Sequence, residues 1–289
     1  MKIIINLFEN IINFLDFLFK TVFKKNFKGF LFDKLQQNFR IIKINNLNVK
    51  FYCPGSVSTW RLDTFFSKEP QTLKWMENFK KYNLKKILFW DIGANVGLYS
   101  IYSCFVNDLN KINVVAFEPS PNNYKILCSN ISTNNLDKNI LLFANPLNSS
   151  NLISNFYESS NIDGSALNSF SSTVNFEGKQ FKPSISFKTI GFSLDFLINN
   201  NFLDIPNFIK IDVDGNEHLI LEGFKKHLSN RSILEILVEV NENYQEQFDR
   251  IIKIMDFNDL KLYEKYPAAI NDSYDKKFIK TFNYLFKRN

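Results

Sequence analysis

Histidine occurs only twice in these 289 residues, cysteine three times and glycine nine times. Imidazole chemistry therefore has two candidates, His218 and His227. Cys53, Cys104 and Cys128 are odd in number and lack metal-ligand spacing, which argues against a disulfide framework and fits reduced thiols in a cytoplasmic protein. Long apolar runs are also missing. The opening stretch MKIIINLFENIINFLDFLFKTVFKK is interrupted by Asn6, Glu9, Asn13, Asp16 and Lys20, too often for a signal-peptide core or a membrane span. A basic face is missing too. The net charge of +6 comes from residues 1–28 (+3) and 271–289 (+3), and the rest of the chain sums to zero. A phosphate-tracking surface needs clustered Lys and Arg, so nucleic acid is not an expected partner. The sequons at Asn130, Asn148, Asn230 and Asn271 read as chance in an Asn-rich chain.

What is there is an ordinary globular composition, 45% hydrophobic with mean hydropathy −0.17. The interruptions in the first segment define a polar stripe opposite Ile4, Leu7, Ile11, Leu15, Leu18 and Val22, the pattern of an amphipathic helix. Docking on the protein itself or on a sister subunit is the favoured role. The sharper alternative is peripheral contact with the inner face of the membrane through residues 1–28, using Lys20, Lys24, Lys25 and Lys28. RIIKINNLNVKFYCPG reads as a hairpin turning at Asn45-Asn46, and residues 70–82 as a helix started by Pro70. From residue 85, strand-length apolar runs (85–91, 113–118, 139–145, 208–214, 233–240) alternate with helical segments at 97–107, 121–133 and 216–228. This rhythm predicts an α/β fold with a doubly wound parallel sheet, closed by an antiparallel pair at 259–266 and 282–288. The stretch 146–190 breaks the rhythm and reads as an insertion of loops and short strands, with a short helix following from Ser193. Three regions result: 1–45 as helix and lead-in, 46–84 as a strand and helix cap, and 85–289 as the main domain.

The scarce glycines mark the chemistry. Gly93 and Gly97 lie in DIGANVG, between the first parallel strand and its helix, where ligands of open α/β sheets bind. Glu118 ends the next strand in FEPS, placed to accept hydrogen bonds from ribose hydroxyls. Either feature alone fits a tight turn or a solvated strand end; together they point to a ribose-bearing cofactor. The pattern is D-x-G-A-N-x-G and not G-x-G-x-x-G. Asp91 would repel a pyrophosphate but suits a sulfonium, which favours S-adenosylmethionine over NAD.

DIGANVGLYS, AFEPSPNNY, KIDVDGNEHLILEG and VEVNE, in this order, resemble the FkbM family of methyltransferases, over roughly residues 50 to 288. The resemblance implies a seven-stranded methyltransferase sheet, S-adenosylmethionine as cofactor and O-methylation, with sugars of surface polysaccharides or other glycosylated metabolites as the acceptor class. It would place Asp91, Gly93, Ala94, Asn95 and Gly97 around the methionine part and Glu118 at the ribose. Asn122 or Asn123 would reach toward the adenosine, with Asn145 and 163–165 near the adenine. Asp212 would face donor and acceptor together, Asp214 would form a turn, and Lys210 would direct its head away from the crevice. Glu217, His218 and Glu239 complete the catalytic candidates, with helix capping the structural alternative for Glu217. Asp212, Asp214 and Glu217 offer hard oxygens, but nothing in their spacing compels a metal, and none is expected. An NAD-linked oxidoreductase and an inactive scaffold at the membrane surface are the competing readings.

Overall fold

In the computed structural model, residues 2–268 and 279–288 are described. The sequon at Asn271 and residues 271–278 and 289 of the basic C-terminal segment lie outside them. The amphipathic segment forms α1 (Lys2–Phe23), then α2 (Phe27–Gln36). β1 (Phe39–Ile44) and β2 (Leu47–Tyr52) pair as an antiparallel hairpin. Asn45 and Asn46 both take positive φ, 47° and 65°, the left-handed pair that a two-residue hairpin turn demands. The expected break at 45/46 thus falls inside a hairpin.

Next come α3 (Ser56–Asp63), α4 (Phe65–Lys68) and α5 (Pro70–Glu77). The helix expected over 70–82 ends at Glu77 and tightens into a 3-10 turn, Phe79–Tyr82. Tertiary packing accounts for this: Phe79 stacks on Phe208 at 3.9 Å and Tyr82 meets the same ring at 5.3 Å.

The alternating region follows as β3 (Ile87–Ile92), α6 (Leu98–Val106), β4 (Ile112–Phe117), α7 (Pro121–Thr133) and β5 (Ile140–Phe143). The insertion is a small antiparallel sheet of β6 (Leu152–Glu158), β7 (Ser169–Phe170) and β8 (Ile185–Gly191), ordered β7-β6-β8. After it come α8 (Leu194–Asn199), capped by the Ser193 hydroxyl, β9 (Phe208–Ile211), α9 (Glu217–Glu222), β10 (Glu235–Asn241) and α10 (Gln245–Phe257). The chain closes with β11 (Leu260–Pro267) and β12 (Thr281–Arg288). Helix α9 is shorter than the expected 216–228. A Cβ on Gly223 would lie 2.1 Å from the Asn148 carbonyl, so the insertion's first strap presses on the chain where the helix stops.

The seven strands of the main sheet run β11-β12-β10-β9-β3-β4-β5. Neighbours from β10 to β5 are parallel, and β12 lies antiparallel between β10 and β11, as expected. Each face buries its own apolar cluster. One joins Phe89 and Phe208 to α5, α6 and β2; the other joins Trp90, Ile209 and Ile211 to α8, α9 and α10. The 46–84 segment is therefore part of the main core. β9 sits at the centre of the sheet, so truncation of its Phe208 should leave an uncollapsed cavity. Phe208→Ala is expected to cost about 3–5 kcal/mol, measured by urea unfolding; a loss below 1 kcal/mol would contradict this packing.

Candidate active site

The carboxyl ends of β3, β4 and β9 meet at the turn after β3. Gly93 adopts φ +88°, and a Cβ there would sit 1.8 Å from the Asp212 carbonyl oxygen. Only glycine permits that approach of the two strand ends. The Gly93 and Ala94 N–H groups both donate to the Phe117 carbonyl, at 3.0 and 2.9 Å, which fixes the turn to β4. Asn95 is left-handed at φ 51°; its N–H donates to Glu118 and its side-chain amide to the Ser165 carbonyl. Gly97 begins α6 at φ +86°, and a Cβ there would meet the Leu127 side chain at 2.4 Å.

Beneath this turn lies a row of buried charge. Lys210, 1% exposed, is paired across the sheet with Asp91, and its ammonium is 2.6 Å from Asp212 and 4.7 Å from the Tyr99 ring centre. The expectation that its head points away from the crevice is overturned. Side chains at i and i+2 share a face, and a buried ammonium has no solvent to reach. Burial alone would lower the Lys210 pKa, but Asp212, Asp91 and Glu69 outweigh it and raise it. Burial likewise works against an ionised Asp212; the Lys210 ammonium, helped by Lys68 and Arg61, holds that carboxyl below its usual range. Asp91, fully enclosed, is raised by burial despite Lys210 and the Ser100 hydroxyl, which donates to it at 2.6 Å.

Asp214 turns the chain at φ 62° and accepts the Leu167 N–H. Burial, with Asp212 adding repulsion, pushes it up to about 6. Burial, again reinforced by Asp212, holds Glu239 well above the usual carboxylate range. One oxygen from each of Asp212, Asp214 and Glu239 lies within 4.8 Å of the others, a set of hard ligands. Glu239, not Glu217, is thus the third member of the acidic cluster.

Glu217 opens α9 but faces inward, 2% exposed. It accepts the Val213 and Gly215 N–H groups of its own loop and the Gln247 amide. It braces the KIDVDGNE loop, and burial lifts it to about 7. His218 packs edge-on against Tyr244 and is lowered by burial to about 4. Neither side chain lines the crevice; both face α10, as the first turn of a helix docked on its neighbour must.

Two cavities adjoin at the Gly93 turn. The larger, about 610 Å³, runs from Asp212 and Asp214 past Gly93 and Glu118 to Asn145. Glu118 is 5% exposed and accepts the Asn95 and Ser120 N–H groups, yet burial still pushes it up to about 7. Asn123 lines this cavity and clamps Gly164 and Ser165, whereas Asn122 turns outward to Asn161. Asn145 is also at the wall, its amide donating to the Ile190 carbonyl. The smaller cavity, about 490 Å³, shares Gly93, Asn95 and Asp212 with the first and is walled by α3, α4 and α6. Trp60, Arg61, Lys68 and Tyr99 line it, and Arg61 also donates to the Gly164 carbonyl. These four were not among the expected site residues; Trp60 and Arg61 come from α3, Lys68 from α4 and Tyr99 from α6. Phe156, Asn168 and Ser169 of the insertion complete the larger cavity, and no spacing signal marks them.

A family model described as "Methyltransferase FkbM domain" matches residues 91–265. A curated relative, the hexuronic acid methyltransferase AglP of Haloferax volcanii, is 30% identical over 154 residues, 53% of this chain and 56% of the relative. The match thus spans about half the length of that relative. Among solved structures, the methyltransferase FkbM from Methylobacillus flagellatus covers 72% of this chain and 47% of its own at TM-score 0.46 and 14% identity. TYW2 of M. jannaschii, solved in complex with AdoMet, covers 88% of both chains at TM-score 0.43 and 14% identity. With the family model spanning the site from Asp91 through Glu239, the chain belongs to the FkbM family of methyltransferases.

Proposed function

We propose that this methyltransferase takes S-adenosylmethionine as donor and methylates a sugar hydroxyl. The observation that carries the reading is Asp212: an ionised carboxylate that lines both cavities where they adjoin. The larger cavity suits the donor. Glu118 stands where ribose hydroxyls would donate, and Asn145 and Ser165 stand farther along for the base. Asp91, Asp212, Asp214 and Glu239 surround the turn with carboxyls, an electrostatic match for a sulfonium and a poor one for a pyrophosphate. That contrast argues against an NAD-linked oxidoreductase.

The acceptor belongs in the smaller cavity. Trp60, 46% exposed, and Tyr99 offer aromatic faces for a sugar ring, and Arg61 and Lys68 offer cations for an acidic one. A relative named for hexuronic acid supports that class. When bound, the donor supplies an electrophilic methyl group. The chain's part is to orient the acceptor and take its proton: Asp212 accepts the hydroxyl proton while Lys210 holds it in place. Glu239, whose carboxyl burial holds well above the usual carboxylate range, has an oxygen within 4.8 Å of the same cluster.

Three outcomes follow. Protonated Glu118 is a weaker acceptor for ribose, so affinity for S-adenosylhomocysteine should fall as pH drops below about 7, by up to about tenfold per pH unit. Calorimetry on Glu118→Gln should then show affinity about 10–100-fold weaker and flat with pH; an unaltered wild-type profile would remove the ribose assignment. Asp212→Asn should slow methyl transfer by about 10²–10⁴-fold, with homocysteine-product affinity nearly kept. Lys210→Met strands buried Asp91 and leaves Asp212 only Lys68 and Arg61, costing about 3–5 kcal/mol of stability. Because Asp212 then titrates higher, the acid limb of the pH–rate profile should move to higher pH; a stationary limb would show that Lys210 does not set the Asp212 charge.

A further inference from the structure

The α1–α2 hairpin is assembled the opposite way from an ordinary helical pair. Helices normally bury their apolar stripe and leave the polar one to water. Here α2 docks on the polar stripe of α1. Asp16, the one buried residue of α1, accepts the Lys28 backbone N–H at 2.8 Å and pairs with Lys20 at 2.7 Å. The Lys28 ammonium donates to Asn13 on the same stripe, and Phe27 rests on Phe19. The apolar face is left open: Ile4, Leu7, Phe8, Ile11, Phe14 and Leu18 are 39–61% exposed. Docking of this face on the chain's own core, one half of the favoured expectation, is not what the described residues show; a sister subunit is its other half. So wide an apolar surface in water marks a binding face.

Charge selects the occupant. Residues 20–36 carry five lysines, at 20, 24, 25, 28 and 34, against the single acid Asp33. Four of them, Lys20, Lys24, Lys25 and Lys28, sit at or beside the hairpin bend, at the end of the open face, and Lys34 lies in the last turn of α2. Two copies joined through this face would crowd like charges, whereas an anionic bilayer would neutralise them. No helix among the described residues is long and apolar enough to cross a membrane. A helix with aromatic and aliphatic residues on one side and lysines at the polar edge lies in the interface plane instead.

We infer that α1 and α2 form an interfacial anchor that lays the open face of α1 into an anionic lipid surface, with the lysines at the bend on the headgroups. The anchor stands apart from the Gly93 turn and does not rest on the proposed acceptor. The test is co-sedimentation of the full chain with vesicles of phosphatidylcholine alone or mixed with phosphatidylglycerol. Binding should require the anionic lipid and weaken as salt is raised. Lys24→Glu with Lys25→Glu should reduce it by at least about tenfold, and Ile11→Glu with Leu18→Glu should abolish it. All four positions are exposed, so both variants should keep the wild-type melting temperature and affinity for S-adenosylhomocysteine. Absence of vesicle binding, or binding indifferent to both pairs of changes, overturns the anchor. So does light scattering that shows a dimer broken by Ile11→Glu in the absence of lipid.

Discussion

A lysine ammonium with 1% exposure at the centre of a sheet is the constraint around which the crevice is arranged. An unpaired charge at that depth would cost several kcal/mol or force the group to neutralise. Lys210 avoids both by gathering carboxylates: Asp91 from β3, Asp212 from the end of its own strand, and Glu69 ahead of α5. Each tie enforces another part of the fold. Gly93 lets the Asp212 carbonyl close in on the turn after β3, while the Asp212 carboxylate meets the ammonium. Glu69 accepts from Asn283 on β12, so the N-terminal cap and the antiparallel strand pair are bound to the same charge. Tyr99 of α6 covers the ammonium with its ring.

Much of this architecture was legible beforehand because it is written in local patterns. Seven strand-length runs, the Asn45-Asn46 turn, Pro70 and the Ser193 cap each declare themselves within a few residues, and the sheet contains them in the predicted roles. The candidate site was legible where strand ends carry it: Gly93, Glu118 and Asp212 line the larger cavity, and Glu239 joins the acidic cluster. It was not legible where a helix turns a side chain. Glu217 and His218 follow Asp214 in sequence, yet the first turn of α9 points them at α10. Lys210 was misjudged because alternation places a side chain on a face without saying what fills that face. The Tyr99 ring of α6 lies over the ammonium, and the side chain is left with no exit to solvent.

The insertion shows the other way in which sequence conceals a site. Residues 146–190 carry no motif, but their sheet forms one wall of the larger cavity through Phe156, Asn168 and Ser169. Glu158 of β6 takes the Ser120 hydroxyl, and Asn123 of α7 grips Gly164 and Ser165. Polar ties of this kind span about 40 residues of chain and leave no periodic trace. They lock the wall to the end of β4, where Glu118 sits. The insertion is therefore built as a wall of the larger cavity.

The protonation pattern of the crevice bears on which ligands it can accept. Burial raises Asp91, Asp214, Glu118 and Glu239, while Asp212 alone is lowered. Without a ligand, the acidic cluster thus carries less negative charge than its residue count, which limits the repulsion that five enclosed carboxyls would otherwise generate. A cation entering beside Asp212 would draw those pKa values down, and the cluster would gain charge as the cation arrives. Binding a sulfonium is then linked to proton release, and its affinity should increase with pH. An anionic dinucleotide would have the reverse effect, raising every carboxyl further and losing affinity over the same range. Under the proposed function, the two classes of cofactor would move the same set of protons in opposite directions.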